Sequence, residues 1–192
     1  MYLKNLSVVN FKNYEQAELD FSPKINCFVG LNGSGKTNLL DAIHYLSFCK
    51  SFFNPIDSQN IRHGEEYLVI QGLYQKNEEE ENIYCGLKLN QKKQFKRNKK
   101  EYSRLADHIG LIPLVMISPE DSFLISEGSE DRRRFVDSVI SQYDREYLED
   151  LIIYNRVLQH RNKLLKEFAQ SAYFDEESLE LWNEQLVVPG QK

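Results

Sequence analysis

With 192 residues, 41 % of them hydrophobic and 12 % aromatic, the chain has enough apolar side chain to build a sizeable core, which excludes global disorder. A formal net charge of −5 excludes a uniformly basic nucleic-acid coat but leaves room for a local basic patch. No apolar run reaches the length of a membrane span, and three cysteines and four histidines without metal spacing give neither a disulfide framework nor a zinc site.

The length suits one large domain, or one domain and part of another. The first 117 residues read as short strand-like runs around one helix. The runs are "YLKNLSVVNF" (2–11), "AELDF" (17–21), "INCFVG" (25–30), "EYLVIQGLYQ" (66–75), "NIYCGLKL" (82–89) and "LIPLVMIS" (111–118). The helix is "KTNLLDAIHYLSF" (36–48), with Leu39, Leu40, Ile43 and Leu46 at helical spacing. Between Lys88 and Arg104 eight basic residues face the single acid Glu101, just after the acidic run Glu78 to Glu81. This stretch is either a solvated hairpin with charged turns or a contact for nucleic acid. In the second case Lys92, Lys93, Lys96, Arg97, Lys99 and Lys100 are the DNA-binding candidates.

Pro119 and Gly128 mark a change of period, and from about Ser129 the pattern is helical. The expected organisation is therefore an α/β lobe over 1–128 and the start of an all-helical lobe over 129–192, with mixed or antiparallel sheets in the first. Leu151, Tyr154, Leu158, Leu165 and Phe168 fall on a seven-residue repeat, with Arg161 as its charged member. That repeat fits a coiled-coil or helical-hairpin seam, or an amphipathic helix packed on the first lobe. Arg132 to Arg134 sit badly against the positive end of their helix and need a compensating carboxylate such as Asp137, a DNA phosphate or a partner.

The chemistry concentrates at Gly30-Leu31-Asn32-Gly33-Ser34-Gly35-Lys36-Thr37, which fits the phosphate-binding pattern G-x-x-x-x-G-K-S/T. Glycines let backbone N–H groups converge as an anion nest, and the following helix adds its partial positive charge. Lys36 is expected to bridge the β- and γ-phosphates of ATP, and the Thr37 hydroxyl to ligate Mg²⁺. No guanine-reading motif or substrate lid is evident. "LVMISPED" ends in Glu120 and Asp121 and superficially resembles a Walker B strand, but Pro119 interrupts it.

The opening "LKNLSVVNFKNYEQAELDFSPKINCFVGLNGSGKTNLLDAIHYLSFCKSF" resembles the start of the RecF family of bacterial recombination and repair ATPases, relatives of the SMC heads. The likeness continues in family order through "IRHGEEYLVIQG", "PLVMISPEDSFLISEGSEDRRRFVDSVIS" and "YNRVLQHRNKLLK". It implies an ABC-type P-loop ATPase head that dimerises on ATP and acts as a clamp on gapped or single-strand/duplex junction DNA. Its implied partners are RecR and RecO, with which the family helps load recombinase. Lys12 stands where the family more often has Arg, and would keep the charge of a nucleotide contact without its fork. Cys49-Lys50 replaces the more usual glycine-arginine pair. Glu120 and Asp121 would fall near the Q-loop position that senses metal and water. The family's signature motif and Walker B acids lie beyond Lys192, so the chain is expected to bind ATP weakly and to hydrolyse it negligibly. The alternative function is a P-loop phosphotransferase acting on a small molecule.

Overall fold

The computed structural model describes residues 1–122, 128–171 and 173–191. They form two compact units, Met1–Met116 and Ile117–Lys192. The first is built on a six-stranded antiparallel sheet in the order β2-β1-β3-β4-β5-β6. Its strands are β1 (Tyr2–Phe11), β2 (Tyr14–Asp20), β3 (Tyr67–Lys76), β4 (Glu79–Lys88), β5 (Gln94–Arg97) and β6 (Lys100–Glu101). Alternation decides which face is buried. Leu68, Ile70, Ile83, Cys85, Leu87 and Phe95 point inward, while Gln71, Asn82 and Tyr84 point outward.

Helix α1 (Lys36–Phe48) lies on the inward face, where Leu39, Ala42, Tyr45 and Leu46 join the strand side chains in one core. Left-handed residues bound it, Gly35 at φ 98 before it and Cys49 at φ 57 after it. The tight turns between strands also use left-handed asparagines, Asn77 between β3 and β4 and Asn98 between β5 and β6. Gly72 marks the closest approach of helix and sheet: a Cβ there would stand 2.6 Å from Leu46 Cδ1.

Two runs expected to be strands carry no ladder among the described residues, 25–30 and 111–118. A strand needs a neighbour to accept its backbone hydrogen bonds, and composition cannot supply one. Some of their apolar side chains stay outside, with Val29 89 % and Ile117 80 % exposed, while Ile112 joins the core and Phe28 and Leu111 pack against it.

The second unit is helical, with α2 (Ser129–Ile140), α3 (Arg145–Ser171) and α4 (Glu176–Gly190). Helices α3 and α4 pack as a hairpin. His160 stacks on Trp182 with centroids 5.1 Å apart, and Arg161 Nε donates to Asn183 Oδ1 at 2.7 Å. The charged member of the heptad is thus a polar latch. Asp175 caps α4 by accepting from the Ser178 backbone N–H and hydroxyl. In α2, Arg134 turns back to Glu130 and Asp131. Asp137 accepts from the Tyr147 hydroxyl.

A buried imidazole joins the end of the first unit to α1. His108 is fully buried, its Nε2–H donating to Leu46 O at 2.6 Å and its Nδ1 accepting from the Tyr102 hydroxyl at 3.2 Å. Burial pulls its pKa from 6.5 down to about 4. The unfolded chain protonates this group below its ordinary value and the folded chain does not, so stability is complete above pH 6.5 and is lost as pH falls toward 4. The expected loss across that window is about 3 kcal/mol. Urea melts at stepped pH should show it, and His108→Gln should shallow the slope by about one proton, leaving a smaller slope from His44, also lowered by burial. Gly72→Ala should destabilise the unit by about 1–3 kcal/mol in the same melts at pH 7, since Leu46 has to move.

Candidate nucleotide-binding site

The phosphate loop leaves the extended segment 25–30, turns at Gly33 (φ 80) and enters α1 through Gly35 (φ 98). Both angles lie where a side chain is strained. At Gly35 space is also lacking, because a Cβ would meet Asn13 Nδ2 at 2.6 Å and Tyr14 Cε2 at 2.8 Å. The β1–β2 turn is therefore packed directly against the loop. Asn13 Nδ2 and the Tyr14 hydroxyl both reach Ser34 O at 3.5 Å, and Asn38 Nδ2 donates to Asn13 Oδ1 at 2.7 Å. The loop is braced by residues 20 and 21 positions away.

Helix α1 starts without a side-chain cap and without an acid in its first turn. Its first N–H groups and its positive end thus carry no side-chain acceptor or acid, an arrangement that suits an anion such as a phosphate. Lys36 Nζ spans the loop, donating to Gly30 O at 2.9 Å and Leu31 O at 2.8 Å. Asn32, Ser34 and Thr37 are exposed around it. Among the described residues there is no group of three His, Cys, Asp or Glu side chains that could hold a metal ion. A cation at this loop would have to share the Thr37 hydroxyl with the phosphates themselves.

Lys12 is engaged elsewhere. Its Nζ lies 2.5 Å from Asp41 Oδ2, and its head sits 5.6 and 5.5 Å from the rings of Phe11 and Phe53. Asp41, on α1, is fully buried and also accepts from the Ser51 hydroxyl at 2.6 Å and the Phe52 N–H at 2.7 Å. Lys12 also borders a surface groove of ≈ 740 Å³ with Phe53, Asn54, Arg62, His63 and Glu65. Nothing local in the sequence announces this groove, because its walls come from three separate segments.

The basic hairpin divides by strand alternation. Lys93 Nζ is turned inward, donating to Tyr45 Oη, Cys49 O and Asp57 Oδ2 at 3.1, 2.6 and 2.7 Å. Arg97 grips Glu81, which also accepts from Asn98 Nδ2 and whose carboxyl is held below its usual range chiefly by the Arg97 hydrogen bond. Lys96 stands over the Tyr84 ring at 5.4 Å. Lys92, Lys99 and Lys100 are exposed. In the second unit Asp121 accepts from the Ser118 N–H at 2.6 Å and the Ser118 hydroxyl at 3.3 Å. The side chain of Glu120 lies outside the described residues.

The AAA ATPase domain model matches residues 1–185. The DNA replication and repair protein RecF of Phocaeicola vulgatus is 63 % identical over 192 residues, covering 100 % of this chain and 51 % of that protein. A solved structure of the recombination mediator protein RecF with ATPrS, from the RecFOR pathway, superposes with a TM-score of 0.90 at 37 % identity, over 98 % of this chain and 51 % of that one. An SMC ATPase structure shares the fold at 21 % identity and a TM-score of 0.59, over 72 % of this chain and 99 % of that one. The chain spans about half the length of the curated relatives it matches. It belongs to the AAA ATPase domain family, and the resemblance to RecF carried by its motifs is borne out by these relatives.

Proposed function

We propose that this chain supplies the ATP-binding face of a RecF-type recombination mediator, a cytoplasmic clamp that closes on DNA when two such faces share ATP. The observation that carries this reading is the loop itself, with Lys36 arched over an uncapped helix start. Arriving phosphates would draw the Lys36 ammonium from two neutral carbonyls onto anionic oxygens, a stronger hydrogen bond. Thr37 would hold Mg²⁺ against the same oxygens, and the ion would neutralise charge on them. The base and ribose would run from the loop toward the groove bordered by Lys12 and Phe53, one residue from the Asn13 that braces the loop.

Hydrolysis needs a carboxylate to polarise water and groups from an opposing subunit, and we assign neither role to Asp121, whose oxygens are held by Ser118. The slow DNA-dependent turnover, the homodimer, the junction preference and the RecR- and RecO-type partners belong to this proposal, as does the gripping of DNA phosphates by Lys92, Lys99 and Lys100. No helix among the described residues is long and apolar enough to cross a membrane.

Lys36→Ala should weaken binding of a fluorescent ATP analogue at least about tenfold without moving the melting point, since its side chain is bonded only to exposed loop carbonyls. Light scattering with and without ATP then separates the classes. A monomer that transfers phosphate to a small acceptor by itself overturns the clamp in favour of the phosphotransferase. Within the hairpin, Lys93→Ala should lower stability by about 1–2 kcal/mol, because it removes the cation beside the part-exposed Asp57 and a donor to Cys49 O, while Asp57 keeps the Tyr45 hydroxyl. Lys92→Ala and Lys99→Ala should leave the melt unchanged and each reduce the salt slope of DNA binding by about one.

A further inference from the structure

The outward face of the sheet carries a groove of ≈ 640 Å³ lined by Gln71, Asn82, Tyr84, Lys96, Asn98 and Lys99. Its composition is unusual for a solvated sheet surface: one aromatic ring, three carboxamides, two ammonium groups and no carboxylate. Register explains how they meet. Gln71 of β3 lies directly opposite Tyr84 of β4, and Tyr84 directly opposite Lys96 of β5, so the three side chains form one row across three strands. Glu101 faces Lys96 from the two-residue edge strand β6 and ends the row.

The tyrosine is laid down on the sheet. A Cβ at Gly86 would stand 2.7 Å from Tyr84 Oη and 3.0 Å from Cε1, so the ring runs along its own strand over the bare backbone of Gly86. Glycine in mid-strand is costly, and here it is the only residue that leaves the ring room to lie flat. Lys96 Nζ rests 5.4 Å from the ring centre, near the outer limit of a cation–π contact, and is therefore weakly held. The Asn98 side chain is committed, accepting from the Asn82 N–H at 2.8 Å and donating to Glu81 at 2.9 Å. The side-chain amides of Gln71 and Asn82 have no hydrogen-bond partner among the described residues, nor does the Lys99 ammonium.

We infer that this row is a binding site for single-stranded DNA, which stacks a base on Tyr84, meets the base edge with Gln71 and Asn82, and places its flanking phosphates on Lys96 and Lys99. The inference rests on the DNA-clamp reading and names the part of the substrate that this face would hold. A half-buried ring on the outward face of an antiparallel sheet, flanked by cations, suits an unstacked base. Duplex DNA keeps its bases stacked inside and offers such a ring nothing. The carboxamides can each donate and accept, which tolerates any base edge. A base arriving on Tyr84 displaces the Lys96 ammonium outward, where the adjoining phosphate lies.

The test is fluorescence anisotropy of a labelled oligo-dT strand and a labelled duplex of equal length, at low salt, with this chain and its variants. Tyr84→Ala should weaken oligo-dT binding about five- to a hundred-fold and change duplex binding by less than about twofold. Tyr84→Phe should bind oligo-dT like the parent, and Gln71→Ala and Lys99→Ala should each weaken it. Circular-dichroism melts check that Tyr84→Ala still folds. If it does not, cross-linking of a bromodeoxyuridine strand to the unaltered chain decides, with attachment within β3 to β5 expected and attachment elsewhere overturning the site. Unchanged oligo-dT binding by Tyr84→Ala, alongside weakened binding by Lys92→Ala, overturns the site and leaves the clamp standing. Equal losses on strand and duplex also overturn it. Failure of the unaltered chain to bind either oligonucleotide overturns the site, and the clamp is then judged by the ATP-dependent light scattering alone.

Discussion

A carboxylate with no access to water must be matched by donors, and in this fold that requirement falls on Asp41 in the middle of α1. Its donors come from both sides of the helix in sequence: Lys12 from the β1–β2 turn, and the Ser51 hydroxyl and Phe52 N–H from the segment after the helix. Meeting the charge therefore fixes where three pieces of chain stand. The same turn carries Asn13 and Tyr14, whose side chains reach Ser34 O and fill the space beside Gly35. The shape of the phosphate loop is thus inherited from a buried charge that never touches it.

That arrangement also explains what happens to Lys12. A lysine near a phosphate loop invites assignment to the nucleotide, but removing it from Asp41 would leave the carboxylate short of its one cationic partner in the described contacts. The cost of an unpaired buried charge, several kcal/mol, exceeds what one exposed lysine gains at a phosphate. The same logic sorts the basic hairpin. Lys93, Phe95 and Arg97 share the inward side of a strand, so two of its charges are spent on Asp57 and Glu81, while Gln94 and Lys96 face out. Net basicity overstates the charge a ligand would feel.

What was legible in the sequence follows from how local each feature is. The phosphate loop spans eight consecutive positions, and its glycines and lysine act on neighbours a few residues away, so the string alone carries the geometry. Strands β3 and β4 were legible because each has a buried face and alternates cleanly, and β1 because Leu6 and Val8 alternate with Ser7 and Val9. Residues 25–30 and 111–118 have equally strand-like composition but no ladder among the described residues, since pairing depends on another segment. In sequence Asp41 is only one polar position in a helical run, and its partners sit 29 and 10 residues away. Arg161 interrupts a heptad for a reason the heptad does not show, because its partner Asn183 lies on another helix.

The chain carries five more negative than positive charges, yet the first turn of α1 has no acid and no cap. An acid or a capping side chain there would stabilise the helix by about 1 kcal/mol, an ordinary gain available to most helices. This helix forgoes it, and stays ordered through its buried face and through Asn13, Tyr14 and Asn38 at its start. A helix start that is held by packing and left electrically unanswered has its N–H groups in place before any ligand arrives. Such a helix start would take an anion with its N–H groups already placed, and only the Lys36 ammonium, bonded to Gly30 O and Leu31 O, would have to turn toward it.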